Sequence, residues 1–372
     1  MKINKAKLTK ALNKIGIFVG KNNINPKVSL VHFKNVGNKA TVFATDLNSA
    51  GRAYFETDEP DEFEFCIEYK QLQQAMKIRS KEITVEFGES AGNGREIEFY
   101  DDKTCFSWAA KDNDSLADIE NATVIPDQEH FQISGKELKT AMSYGGYARD
   151  DKDTQYPFVT GVHFVSKGEA VDIHSTDRHR IAGWKKNATQ EIEGMEGISM
   201  DGILSPQNIK SVDLFEDDEQ LDMYITDTQI IIVSPSLEAY ASKINCQFKD
   251  ISGFFLQPVQ CSYEVKVSDA LESISIIDNG TCNWIKLSFK EEKVLVNAVS
   301  KEGCFNDEFK CKRIAGEDIE GHFDIKKIKD IFNCAKTENI TIEFRVLNER
   351  ITVLTYRTDD GGYGMLGQYR IG

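Results

Sequence analysis

Proline is scarce in this chain, with seven residues in 372. Proline-rich or low-complexity linkers mark loosely tethered domains. None occurs here, so any domains are expected to pack in direct succession. No run of roughly 18 apolar residues exists, and no membrane span is expected. Residues Met1–Gly20 lack a small-residue cleavage site behind an apolar core, so they do not read as a secretory signal. The eight cysteines include no CxxC pair and no histidine at zinc-ligand spacing. Free thiols in a reducing cytoplasm are expected, and no metal site. No GxxxxGK[ST] motif is present. Gly361-Gly362-Tyr363-Gly364 has no strand-to-helix context and reads as a loop, not a phosphate cradle. No cofactor is expected.

A basic excess is also lacking. Forty-five Lys and Arg stand against 60 Asp and Glu, a net charge of −15. That excludes a protein whose whole surface grips nucleic acid. The charge is uneven, however. Residues Met1–Ala40 hold nine lysines and no acid, while acids gather in Glu56–Glu64, Asp112–Glu120 and Asp213–Asp222. Such a distribution permits an acidic outside and a basic inside.

What is present is a repeat. Leu8–Leu12, Leu138–Met142 and Leu271–Ile274 each open an amphipathic stretch. Strand-like runs ending in a small polar turn follow at Val42–Asp46, Ile173–Asp177 and Val294–Ser300. A third marker recurs at Ile83–Phe87, Leu221–Ile225 and Ile340–Phe344. Three markers in one order, about 120–135 residues apart, read as three tandem copies of one domain. The expected boundaries are 1–125, 126–258 and 259–372, near the polar Pro126-Asp127 and Gln257–Gln260 segments. Helical spacing of apolar residues predicts helices over Ala6–Gly20, Tyr69–Arg79, Ser134–Met142, Pro206–Leu214, Ser268–Ile277 and Asp324–Ala335. Ser205 and Asp324 are the expected caps, and Pro206 suits a first helical position. Alternating strands are expected at Ala53–Thr57, Glu96–Tyr100, Gln229–Val233 and Arg350–Tyr356. Each block is therefore α+β, with two helices packed on antiparallel sheets.

The segment Ser175-Thr176-Asp177-Arg178-His179-Arg180-Ile181-Ala182 is the sharpest local signal. It resembles the TDGHRLA segment of the bacterial DNA polymerase III β subunit, the β sliding clamp family. Tyr156–Val162 is similar to a strand of that family, Phe43–Leu47 to its first-domain ATDLE strand, and Tyr369-Arg370-Ile371 to its closing residues. The resemblance runs along the whole chain in order. It implies three tandem DNA-clamp domains and a head-to-tail homodimer forming a ring, with helices lining the hole and sheets outside. It further implies a processivity factor around double-stranded DNA, with no catalytic residues of its own. The implied partners are the DNA polymerase III catalytic subunit, the clamp loader and other proteins carrying clamp-binding motifs.

The resemblance also implies a peptide-binding pocket between the second and third domains. The matching positions are Val159, Thr176, His179, Arg180, Ile181, Phe254, Met365, Tyr369 and Arg370. Buried apolar anchors of about 1.5–3 kcal/mol each would supply most of the affinity, with Arg180 fixing direction. Three departures stand out: Arg178 where the family has glycine, Lys249 where it has proline, and Gly367-Gln368-Tyr369 at the tail. They imply an altered peptide preference. The loop Tyr144–Arg149 matches a flexible second-domain loop near the hole, where tyrosines stack and Arg149 reaches phosphate. The expected DNA-facing set is Lys7, Lys10, Lys14, Lys77, Arg79, Lys139, Tyr147 and Arg149. The dimer contact is expected to join Gln73–Arg79 and Lys103–Trp108 of one copy to Ile274–Ile277 and Glu302–Glu308 of the other.

Two other readings remain. One is a divergent phage- or plasmid-borne three-repeat interaction scaffold that does not encircle DNA. The other is a hydrolase built on Ser175, Asp177 and His179; these alternate along one expected strand, whereas triads assemble from distant segments.

Overall fold

The computed structural model describes residues 1–21, 25–88, 95–111, 114–168, 170–186, 200–278, 282–301, 303–347 and 351–369. Six α-helices occur among them: α1 (Lys5–Ile15), α2 (Tyr69–Ala75), α3 (Asp114–Ala122), α4 (Gly135–Gly145), α5 (Val267–Ile277) and α6 (Ile325–Cys334). No described helix is long and apolar enough to cross a membrane. The chain divides into two compact units, residues 1–135 with 207–243, and residues 136–206 with 244–372. The expected repeat boundaries rest on sequence periodicity, a different property from this compactness.

In the first unit, a small antiparallel sheet runs Lys2–Asn4, Glu82–Gly88, Glu96–Tyr100, Cys105–Ala109. A second sheet is built on the long hairpin Leu30–Thr45 and Ser49–Glu68. The start of Ser49–Glu68 pairs with Leu237–Ile244, and the ladder continues through Gln229–Val233 and Gln220–Ile225 to Phe131–Ser134. Helix α1 starts where the Asn4 side chain accepts from the Ala6 and Lys7 amides, and it buries Leu8, Ala11, Leu12 and Ile15. It stops at Ile15, earlier than expected, and Gly16–Phe18 tightens into a 3-10 turn. A Cβ on Gly16 would lie 2.4 Å from the Tyr69 hydroxyl, so any larger residue here must displace that side chain.

In the second unit, antiparallel neighbours run Met200–Leu204, Val162–Lys167, Ala170–Thr176, Arg180–Lys186, Gly362–Gly367, Ile351–Arg357, Asn339–Leu347 and Val259–Lys266. A further sheet runs Gly303–Ala315, Lys293–Ser300, Trp284–Phe289, Ile319–Asp324. Helices α5 and α6 pack on this framework. Asp324 caps α6 by accepting the Lys327 amide at 3.0 Å, and Ile325, Ile328, Ile331 and Phe332 are buried.

Four expectations need correction. Pro206–Leu214 is a nine-residue 3-10 helix, not an α-helix. Helix α3, where no helix was expected, occupies much of the acidic run Asp112–Glu120; Leu116 anchors it against Leu30 and Cys66. Pro157–Val159 is a 3-10 turn, and the strand expected there begins only at Val162. Ser175, Asp177 and His179 do not share a strand. The strand ends at Thr176, and Asp177–His179 form the turn that reverses the chain.

Candidate peptide cleft and charged faces

The Thr-Asp marker of the first two blocks folds into one turn in both. In the first block, the Thr45 hydroxyl donates to the Ser49 carbonyl at 2.7 Å and accepts from the Leu47 amide at 3.0 Å. In the second, the Thr176 hydroxyl donates to the Arg180 carbonyl at 2.6 Å and accepts from the Arg178 amide at 3.0 Å. Asp46 and Asp177 each accept two amides across the turn, as short carboxylates do at chain reversals. The third turn residue lies in the left-handed region in both, Leu47 at φ 74° and Arg178 at φ 70°.

The second of these turns borders a cleft of about 810 Å³ within the second unit. Of the expected pocket residues, His179, Phe254, Met365 and Tyr369 line it. Ile181 lies behind the wall, buried against Val353 and Met365. Its register opposite Met365 follows from the pairing of Arg180–Lys186 with Gly362–Gly367. The Gly367 amide donates to the His179 carbonyl at 3.0 Å and holds the two lips together.

Three expected residues do not reach the cleft. Val159 is fully buried in another cluster, with Phe158, Ile203 and Phe248. Thr176 is buried and spends its hydroxyl on the turn. Arg180 is a structural clamp, donating to Asp177 at 3.1 Å, Asp330 at 2.5 Å and the Tyr147 carbonyl at 3.1 Å. Burial works against its charge, but the two carboxylates outweigh this and raise its pKa. Arg370 lies outside the described residues. The sequence reading missed Leu347, Thr352, Val353 and Leu366, all of which line the cleft. They belong to three strands, Asn339–Leu347, Ile351–Arg357 and Gly362–Gly367, whose mutual pairing no local pattern announces, and the last begins in the glycine segment read as a loop.

The hydrolase reading loses its geometry. The Ser175 hydroxyl is buried without a hydrogen-bond partner, while His179 is exposed in the turn.

The expected DNA-facing set is dispersed. Lys77 and Arg79 are exposed just past α2. Lys7 pairs with Asp58 at 3.3 Å and Lys10 with Glu216 at 2.9 Å. Lys14 is buried, donating to Ser236 at 2.6 Å beside Glu219, so it faces no ligand. Burial lowers its pKa. Lys139 is half-buried on α4. The stretch Tyr144–Arg149 is packed, not a free loop. Tyr144 is fully buried and bonds Asp360 and the Lys336 amide. Tyr147 sends its hydroxyl inward to Tyr356 at 2.9 Å. Arg149 turns back onto Asp151 and the Gly146 carbonyl, both at 2.6 Å. None of the eight cysteines is in a disulfide, and no metal-ligand cluster occurs among the described residues.

No family model matches the chain. It is 24% identical over 223 residues to a beta sliding clamp of Staphylococcus epidermidis, covering 58% of this chain and 57% of the relative. It is 22% identical over 227 residues to the beta sliding clamp of Bacillus subtilis, covering 58% and 59%. The chain thus spans less than two thirds of the length of these curated relatives. Among solved structures, the beta subunit of Streptococcus pyogenes DNA polymerase matches with a TM-score of 0.83 at 15% identity. It covers 100% of this chain and 99% of that one. The Bacillus subtilis sliding clamp matches at 0.82 and 17%, with the same coverage. The chain has the sliding-clamp fold. A Pseudomonas aeruginosa clamp bound to griselimycin shares the fold at a TM-score of 0.82 and 15% identity.

Proposed function

We propose that the chain is a DNA sliding clamp: two copies close head to tail around duplex DNA and tether a replicative polymerase through the cleft beside His179. The observation that carries this reading is the full-length likeness to solved clamps, at TM-scores of 0.80–0.83. Three tandem clamp domains, 1–125, 126–258 and 259–372, are the repeating unit of this ring. A ring holds DNA topologically, so its phosphate contacts are weak, sequence-independent and salt-sensitive. Lys77 and Arg79, both exposed, are the DNA contacts best supported by their placement. The chain performs no catalytic step in this reading, and nucleotide hydrolysis belongs to a separate clamp loader. The setting is the cytoplasm.

One open sheet edge supports the dimer. Cys105–Ala109 is the outer strand of its sheet, and Phe106 stacks on Trp108 there with centroids 5.2 Å apart. On the other proposed surface, Ile276 of α5 is 57% exposed. Asp307 and Glu308, on Gly303–Ala315, oppose Lys103 and Arg79 in sign. Glu302 lies outside the described residues.

The pairing of Lys7 and Lys10 with acids favours the second reading, a three-repeat scaffold that does not encircle DNA. Negative-stain electron microscopy together with retention on circular and linearised DNA separates the two. Closed six-lobed rings retained on circles but lost from linear DNA are expected. Three-lobed rods with no topological retention overturn the clamp.

A further inference from the structure

Arg178 is the side chain that most changes the chemistry of the cleft. The turn itself accepts a side chain at this position, since Leu47 occupies the equivalent place in the first block. What differs is the setting. The Arg178 guanidinium lies over the Tyr156 ring, 4.4 Å from its centroid, and donates to Asp153 at 3.1 Å. Asp153 is itself held below the ordinary carboxylate range, chiefly by the Tyr156 amide, with Arg178 adding to this. The Arg178 side chain is 46% exposed, while Asp153 is 8% exposed. The cation is therefore presented outward and its counter-ion is kept behind it.

A second cation at the cleft is presented in the same way. Lys327 lines it, while its partner Asp177, 3.0 Å away, is 10% exposed and does not. Asp324 is the one carboxylate among the lining residues, and one of its two oxygens accepts the Lys327 amide as the α6 cap. The wall between these groups is apolar: Phe254, Leu347, Val353, Met365 and Leu366.

We infer that the cleft selects a linear peptide segment of a partner protein bearing an acidic side chain next to its apolar anchors, with Arg178 as the residue that reads the acid. This rests on the clamp reading for the cleft itself and adds the charge of the peptide to it. A guanidinium with one nitrogen bonded to a carboxylate among the described residues keeps donors for a second, and Arg offers them in a planar fork suited to that group. Tyr156 and Asp153 hold the fork in place, so little is lost in ordering it when the peptide arrives.

The test titrates short synthetic peptides with leucine and phenylalanine anchors onto the full chain. Their flanking residue is glutamate, glutamine or lysine, placed on each side of the anchors in turn. The wild-type protein is compared with Arg178→Gly and Arg178→Asn. Both substitutions suit a left-handed φ, and thermal unfolding checks that they fold. On the wild type, the glutamate peptide is expected to bind about three- to tenfold tighter than the glutamine peptide, and the lysine peptide weakest. The advantage shrinks as salt rises and falls to within about twofold in both variants. Equal binding of the glutamate and glutamine peptides to the wild type overturns the inference and leaves the cleft standing. So does a glutamate preference that survives both substitutions. Failure of every peptide to bind overturns the cleft reading as well.

Discussion

Arg52 is held between two acids inside the first unit. It donates to Glu238 at 2.6 Å, to Glu120 at 3.3 Å, and to the carbonyls of Glu120 and Thr123 at 3.2 and 3.3 Å. Burial opposes its charge, but Glu238 outweighs this and Arg52 sits above the ordinary arginine range. Removing it leaves Glu238 facing two tyrosine hydroxyls alone. Arg52→Met is expected to cost about 3–5 kcal/mol in urea unfolding, as breaking one side of a buried pair does. A loss below about 1 kcal/mol would show that the acids re-pair. A second cluster predicts a pH response. His163 shares a hydrogen bond with His174 at 2.9 Å and one with Asp201 at 2.5 Å, and stacks on Phe248. His174 in turn meets Asp172 at 3.0 Å, and Tyr363 and Lys185 approach the same carboxylate. Burial lowers the pKa of His163, with Asp201 opposing it. A histidine with a folded pKa below its unfolded value of about 6.5 stabilises fully above that pH. As pH falls below it, the unfolded chain takes the proton first, and stability drains until the folded pKa is passed. The wild type is expected to lose urea stability from about pH 6.5 downward more steeply than His163→Gln. Parallel pH profiles would remove this account. None of these partners was legible in the sequence: Arg52 and Glu238 lie 186 residues apart, and no local pattern couples residues at that distance.

At the scale of elements, local periodicity carried far. The Asp324 cap and the four apolar residues of α6 were readable because capping and helical spacing are short-range. Ile331 is 1% exposed there, and Ile331→Ala is expected to cost about 2–5 kcal/mol by urea denaturation. A cost under about 1 kcal/mol would mean the site collapses around the missing methyl groups. The misses have physical causes too. Helix α3 was not among the expected helices, its stretch having been noted only as an acidic run. It is fixed by Glu120, which binds His32 and Arg52 on the long hairpin. Burial of Glu120 raises its pKa, but His32 and Arg52 outweigh it, and the carboxylate sits below its ordinary range. Tyr144–Arg149, with Gly145 and Gly146 in it, was expected to be flexible because it matches a flexible loop of the resembled family. Those glycines serve packing: a Cβ on Gly145 would lie 2.5 Å from the Ile173 carbonyl. The cleft was half legible for a related reason. Its His179 lip is one continuous segment, whereas Leu347 and Val353 enter through the pairing of Asn339–Leu347 with Ile351–Arg357.

For the whole molecule, the ring stands or falls on its two ends. A strand with one unpaired side exposes a row of amides and carbonyls, and proteins rarely leave such an edge flat and apolar without a partner. Cys105–Ala109 is such an edge, carrying half-buried Phe106 and Trp108. Ile276 is an apolar residue on the exposed face of α5, opposite its buried side, next to the other proposed end. If these surfaces meet in a second copy, a charge placed on either one must be desolvated without a partner, which costs several kcal/mol. Phe106→Asp and Ile276→Asp are therefore each expected to weaken the dimer at least tenfold in sedimentation velocity. Each substituted residue is already partly in water within one protomer, so thermal unfolding of that protomer should hardly move. The pair also separates the ring from other dimers. In a head-to-tail ring both contacts are identical, so either substitution opens both at once and yields monomers. In an isologous dimer built on only one of these surfaces, one of the two variants would remain fully dimeric, and the closed ring would have to be abandoned.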